Sequence, residues 1–178
     1  RLQMFKFHYF IFLILLTTYA DDPRRNSHGI DIEKVIKKGE LEYWITWSSS
    51  KGKSWEHDIF QQVVSLKNGE LIFKSKAKRI IGTGTDEAQE PVSTAISPDN
   101  YMFTAFEDGS ASTVDVRGEL SLIDSKKKIT KIEIASGEAS QHSASAVYVD
   151  NHFLVAYADE KPINSLPGTV VKLKSFDA

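Results

Sequence analysis

Cysteine is absent from all 178 residues of this chain. Thiol nucleophiles, thiolate metal sites and disulfide staples are therefore excluded, and the fold must be held by packing alone. Long apolar runs are scarce as well. The pronounced one, Phe7 to Leu16, covers ten positions, too few to cross a bilayer comfortably as a helix. No Asn-x-Ser/Thr acceptor follows it, because Asn26, Asn68, Asn100, Asn151 and Asn164 all have other neighbours. Positive charge is not in excess. The formal net charge is -2, and since Arg1 and Lys6 are the only charged residues among the first twenty, the remainder carries -4. With no basic patch interleaved with aromatics, that charge argues against a nucleic-acid partner, and none is expected. His28, His57, His142 and His152 lack paired metal-ligand spacing.

What is present begins with a leader. Lys6, the apolar run and then Thr17-Thr18-Tyr19-Ala20 before Asp21-Asp22-Pro23 have the order of a cleavable secretory signal. Residues 1–20 are therefore expected to be a signal peptide, with Met4 as the start. The mature chain is expected to be secreted and extracellular, with no stable membrane span after cleavage.

Beyond the leader the dominant feature is an internal echo. Gln89 to Asp108 returns, one residue shorter, at Gln141 to Asp159, with Pro98-Asp99-Asn100 matched by Asp150-Asn151. Gly118-Glu119-Leu120 likewise follows Gly69-Glu70-Leu71 at about the same interval, roughly 50 residues. A strand-turn-strand unit at that period reads as a β-propeller blade. The expected fold is all-β and β-propeller-type, with about two and a half to three four-stranded blades forming a partial propeller. Residues 21–38 read as a polar lead-in whose stretch Ile30 to Lys38 suits a short amphipathic helix, and residues 39–178 as blades. Asn68-Gly69 is a hairpin signal. Ser112 to Val116 and Glu119 to Ile123 read as two separate strands, and Lys126 to Lys128 as a hairpin tip.

One segment resembles a known motif. Ser48, Ser50, Gly52, Ser54 and Trp55, following Tyr43 to Trp47, are similar to the Asp-box of sialidases and related bacterial-neuraminidase-repeat propellers, with Ser50 in place of the aspartate and Ser54 in place of threonine. The resemblance implies a structural hairpin turn with Trp55 packed into a blade. The longer repeat, carried by Gln89, Pro91, Asp99, Asn100, Phe103 and Ala105 in its first copy and by Gln141, Asp150, Asn151, Phe153 and Ala156 in its second, resembles repeats of large secreted microbial propeller proteins. Neither resemblance implies a catalytic centre.

A sialidase-like centre needs three arginines on a carboxylate, a tyrosine nucleophile with a glutamate partner, and an acid/base aspartate. Arg24, Arg25, Arg79 and Arg117 stand in none of the contexts that family uses. The expected function is a non-catalytic binding or surface-interaction module. The alternative is a fragment of a sialidase-like or other glycoside hydrolase. Loops at equivalent places in the two repeats, Gly82 to Gln89 and Ser136 to Gln141, are the candidate ligand contacts through Thr85, Asp86, Glu87, Glu138 and His142. Their oxygen-rich chemistry suits a polar ligand such as a carbohydrate, or another extracellular protein. No cofactor is expected, calcium being the one cation those oxygens suit, and self-association is a route to closing the ring.

Overall fold

A computed structural model of the chain describes residues 27–50, 57–82, 88–109, 114–123, 128–160 and 168–177. All twelve elements in them are strands, so the all-β expectation holds. No helix among the described residues is long and apolar enough to cross a membrane.

Three antiparallel sheets follow one another along the chain. The first runs β1 (Ser27–Lys37), β2 (Glu40–Ser50), β3 (His57–Lys67), β4 (Glu70–Phe73), with β5 (Lys78–Ile81) also paired to β3. The second is β6 (Ala88–Ile96), β7 (Tyr101–Gly109), β8 (Asp115–Leu122), β9 (Lys128–Ala135). The third is β10 (Gln141–Val149), β11 (His152–Glu160), β12 (Thr169–Asp177).

Turn chemistry sets the meander. Lys38-Gly39, Asn68-Gly69 and Asp150-Asn151 all have positive φ at both central positions, the signature of a two-residue type I′ hairpin, whose twist matches that of the strands it joins. The β6–β7 hairpin differs. Tyr101 O accepts from Ser97 N at 2.8 Å, Asn100 N donates back to Ser97 O at 3.0 Å, and Asn100 has φ 66°. That is a three-residue loop ending in a left-handed residue. The second copy of the repeat is one residue shorter because its hairpin uses the two-residue form.

Two local expectations are corrected. Ile30 to Lys38 is not helical: strand β1 occupies Ser27–Lys37, so sheet 1 begins inside the stretch expected as a polar lead-in. The pairing of Asp31 with Thr46, Glu33 with Trp44 and Val35 with Glu42 puts these three on one face and leaves Ile32, Lys34 and Ile36 on the other. That two-residue period, fixed by the Lys38-Gly39 turn, overrides the weak helical spacing. Nor is Gly118 a break between two strands, because β8 runs straight through it. The glycine is a packing requirement. A Cβ there would lie 2.6 Å from Phe103 Cζ and 3.2 Å from Ile134 Cδ1.

The first strands of the sheets lie together, β6 touching both β1 and β10. Between sheets 2 and 3 a continuous apolar core gathers Phe103, Ala105, Val116 and Ile134 against Ala144, Phe153, Val155 and Tyr157. Phe103 stacks on Phe153 at 5.3 Å and on Phe176 at 5.4 Å. Sheets 1 and 2 meet through two smaller groups, one containing Val35, Trp44, Val63, Met102 and Ile123, the other Ile59, Ile81, Val92 and Phe106. Trp44 and Trp47 are both buried, at 5% and 1% exposure, so neither ring is open as a platform for a sugar.

Phe103 is fully buried and packed against Phe153 and Phe176, so Gly118→Ala forces overpacking. It is expected to cost about 1–3 kcal/mol, read as a melting temperature lower by several degrees in thermal unfolding.

Candidate functional site

Each sheet begins with an edge strand, and an edge strand carries backbone amides that no ladder satisfies. Here the preceding strand supplies the acceptors. Thr94 N donates to Asp31 Oδ2 at 2.6 Å and Ser93 Oγ donates to the same oxygen at 3.2 Å. Ser93 Oγ in turn accepts from Ala146 N at 3.0 Å. A side chain of β1 thus caps β6, and a side chain of β6 caps β10. The remaining carboxylate oxygen, Asp31 Oδ1, accepts from Ile32 N at 2.8 Å.

Next to this relay, where β1, β6 and β10 converge, lies a cleft of about 470 Å³ lined by residues that include Glu33, Val35, Ile96, Pro98, Asn100 and Tyr148. Its volume is within the range of small-ligand sites. Glu33 and Asp31 are two residues apart on one strand and therefore share a face. Burial first, and the negative charge of Asp31 second, push the Glu33 carboxyl up from its ordinary 4.5 to about 7. Near neutrality this group can donate a hydrogen bond as the acid or accept one as the carboxylate. Tyr148 adds a half-buried ring, set edge-on to Phe153 at 5.1 Å, and its hydroxyl donates to Asn151 Oδ1 at 3.3 Å.

The residues singled out from the sequence are not at this cleft. Thr85, Asp86 and Glu87 lie outside the described residues, as do Gly52, Ser54 and Trp55. Ser48 and Ser50 belong to β2, where Ser48 pairs with Ile59 and Ser50 with His57, and Ser48 is fully buried. Glu138 is exposed in the loop before β10. His142 sits near the start of β10, six residues or about 20 Å along the strand from Tyr148, with its Nε2 3.0 Å from Glu160 Oε1. Among the described residues, no three His, Cys, Asp or Glu side chains are grouped to hold a metal ion.

Glu33 went unnoticed in the sequence. The signal available was two acids at alternate positions of what is now seen as a strand, a spacing that sets like charges on one face. Its significance depends on β6 and β10 closing over it, which no local pattern reports. The chain matches no protein-family model and no curated protein. Its chemistry therefore has to be read from this geometry.

Two outcomes follow. A carboxyl with a raised pKa in the fold binds its proton more tightly folded than unfolded, so its contribution to stability is complete below about pH 4.5 and is lost as pH rises through about 7. Glu33→Gln is expected to remove that loss, so its melting temperature relative to the parent should rise between pH 4 and pH 8; a constant difference would show Glu33 to be unperturbed. Asp31→Ala strands the Thr94 amide and the Ser93 hydroxyl. It is expected to cost about 2–3 kcal/mol and to accelerate hydrogen exchange at Thr94 more than at amides within the β7–β8 ladder.

Proposed function

We propose that this chain is a secreted, propeller-type binding module whose three sheets are successive blades, and that the cleft at the junction of their first strands binds a neutral, hydroxyl-rich ligand of the carbohydrate class. The observation that carries the reading is that Glu33 and Tyr148 line one cleft to which all three first strands contribute. Successive antiparallel meanders stacked through their first strands are what blades around an axis require, and the axis end is where such folds place ligands. A sugar offers hydroxyls that a carboxyl can serve in either protonation state, and an apolar ring face suited to an aromatic side chain.

Binding without turnover is favoured over hydrolysis. A glycosidase needs two carboxyl groups free to face the scissile bond. Of the two acids here, Asp31 is engaged by Ile32 N, Ser93 Oγ and Thr94 N, which leaves Glu33 alone at the cleft. Arg79 is not available to clamp a substrate carboxylate either, since it pairs with Asp58 at 3.1 Å, and Arg117 pairs with Asp108 at 2.9 Å.

The test is titration of a panel of neutral and acidic oligosaccharides, followed by backbone amide shifts and calorimetry. Shifts clustered at Glu33, Asn100 and Tyr148, weakened at least tenfold by Tyr148→Ala and made pH-independent by Glu33→Gln, are expected. Release of reducing sugar, or binding indifferent to both substitutions, would count against the reading.

A further inference from the structure

We infer that the polar layer enclosed between sheets 1 and 2 is a hydration site, which holds at least one ordered water on the Thr46 and Thr94 hydroxyls and the Asp31 carboxylate. The site lies inside the stack, and nothing in it depends on what the cleft binds.

Two rows of cross-strand partners make the layer. In sheet 1, Asp31 pairs with Thr46 and Thr46 with Gln61. In sheet 2, Thr94 pairs with Thr104 and Thr104 with Glu119. Side chains alternate between the faces of a strand, so each row shares a face with residues two or four positions away. Those neighbours are Val35, Trp44 and Met102 on one side, and Ile59, Val92 and Phe106 on the other, members of the two apolar groups through which the sheets meet. Both rows therefore point into the junction, with an apolar group beyond them in each direction along the strands. Two contacts cross it within the layer or at its margin: Thr94 N to Asp31 Oδ2 at 2.6 Å and Gln61 Nε2 to Met102 Sδ at 3.0 Å.

Thr46 and Thr94 are buried, yet neither hydroxyl has a hydrogen-bond partner among the described residues. Buried hydroxyls are ordinarily paired, with protein or with ordered water. Facing sheets pack about 10 Å apart, a distance that Trp44 and Met102 help to span with long side chains. A threonine hydroxyl stands only two bonds beyond its Cα, which leaves space between the rows. Asp31 supplies a third partner. Its carboxylate has about four acceptor sites, and three are taken by Ile32 N, Ser93 Oγ and Thr94 N. The fourth, on Oδ1, can accept a water proton.

Water fits this set better than a metal ion does. Each unpaired hydroxyl has a proton to give as well as lone pairs to share. Water answers both, whereas a cation answers only the lone pairs. Buried waters typically make about three hydrogen bonds, which is the number of partners offered. Held there, the water ties β2 to the bond between Asp31 and Thr94, so the cap on β6 is braced from two strands of sheet 1.

Magnetic relaxation dispersion of the water oxygen nucleus, measured on the full chain, detects molecules held for at least the tumbling time of the protein. The parent is expected to show a dispersion that falls when Thr46→Val and Thr94→Val are combined and that persists with Thr46→Ser and Thr94→Ser, which keep the hydroxyls. Thermal unfolding gives an independent sign. Valine has the shape of threonine, so its introduction at a hydrated site loses the water's bonds and lowers the melting temperature by several degrees, whereas at a dry site it removes unpaired hydroxyls and raises it. Thr94→Val alone leaves the bond from Thr94 N to Asp31 in place and gives the same sign, should the double variant not fold. A dispersion unchanged by valine, with a raised melting temperature, overturns the inference. So does a melting temperature that climbs when sodium or potassium replaces choline at constant ionic strength, which would put a cation in the layer.

Discussion

The stack depends on how its edge amides are satisfied. β1, β6 and β10 each begin a sheet and each turns one edge toward the junction of the first strands. An unsatisfied amide there would cost about as much as several buried methyl groups return. Asp31 and Ser93 remove that cost by reaching across from one first strand to the next. Because the reach of a carboxylate or a hydroxyl is short, these bonds also fix how far apart the first strands lie. The cleft beside Glu33 is a consequence of that spacing, and so is the burial that, ahead of the charge of Asp31, raises the Glu33 pKa.

The two junctions are chemically unequal. Sheets 2 and 3 share one apolar core in which three phenylalanine rings stack. Between sheets 1 and 2 the apolar groups are separated by buried polar residues, Thr46, Gln61, Thr94 and Thr104, all at 0–1% exposure. Gln61 Nε2 donates to Met102 Sδ at 3.0 Å, while the Thr46 and Thr94 hydroxyls find no hydrogen-bond partner among the described residues. Each such group costs about 1–3 kcal/mol. The junction that carries the relay is thus the softer one, which makes the Asp31 bonds matter more there than the Ser93 bond does next door.

Legibility in the sequence follows the range of the cause. The strand character of the chain and the Asn68-Gly69 hairpin were readable because composition and turn chemistry are local. β1 was misread because Ile32, Val35 and Ile36 mimic helical spacing, and only pairing with β2 decides between a period of 3.6 and a period of two. Gly118 was misread as punctuation because the reason for it, the Phe103 ring, belongs to another strand. The cleft was not readable at all: Glu33 matters because Pro98 and Tyr148 join it from the other two sheets, and those residues are far from it along the chain.

The capping residues differ in chemistry from one first strand to the next. Asp31 satisfies the amide of its own strand with one oxygen and that of the next sheet with the other. Ser93 bridges instead: its hydroxyl donates back to Asp31 Oδ2 and accepts forward from Ala146 N, while the amide of its own neighbour Thr94 is satisfied by Asp31. The aspartate of β1 and the serine of β6 therefore give the relay a direction, each first strand capping the one that follows it.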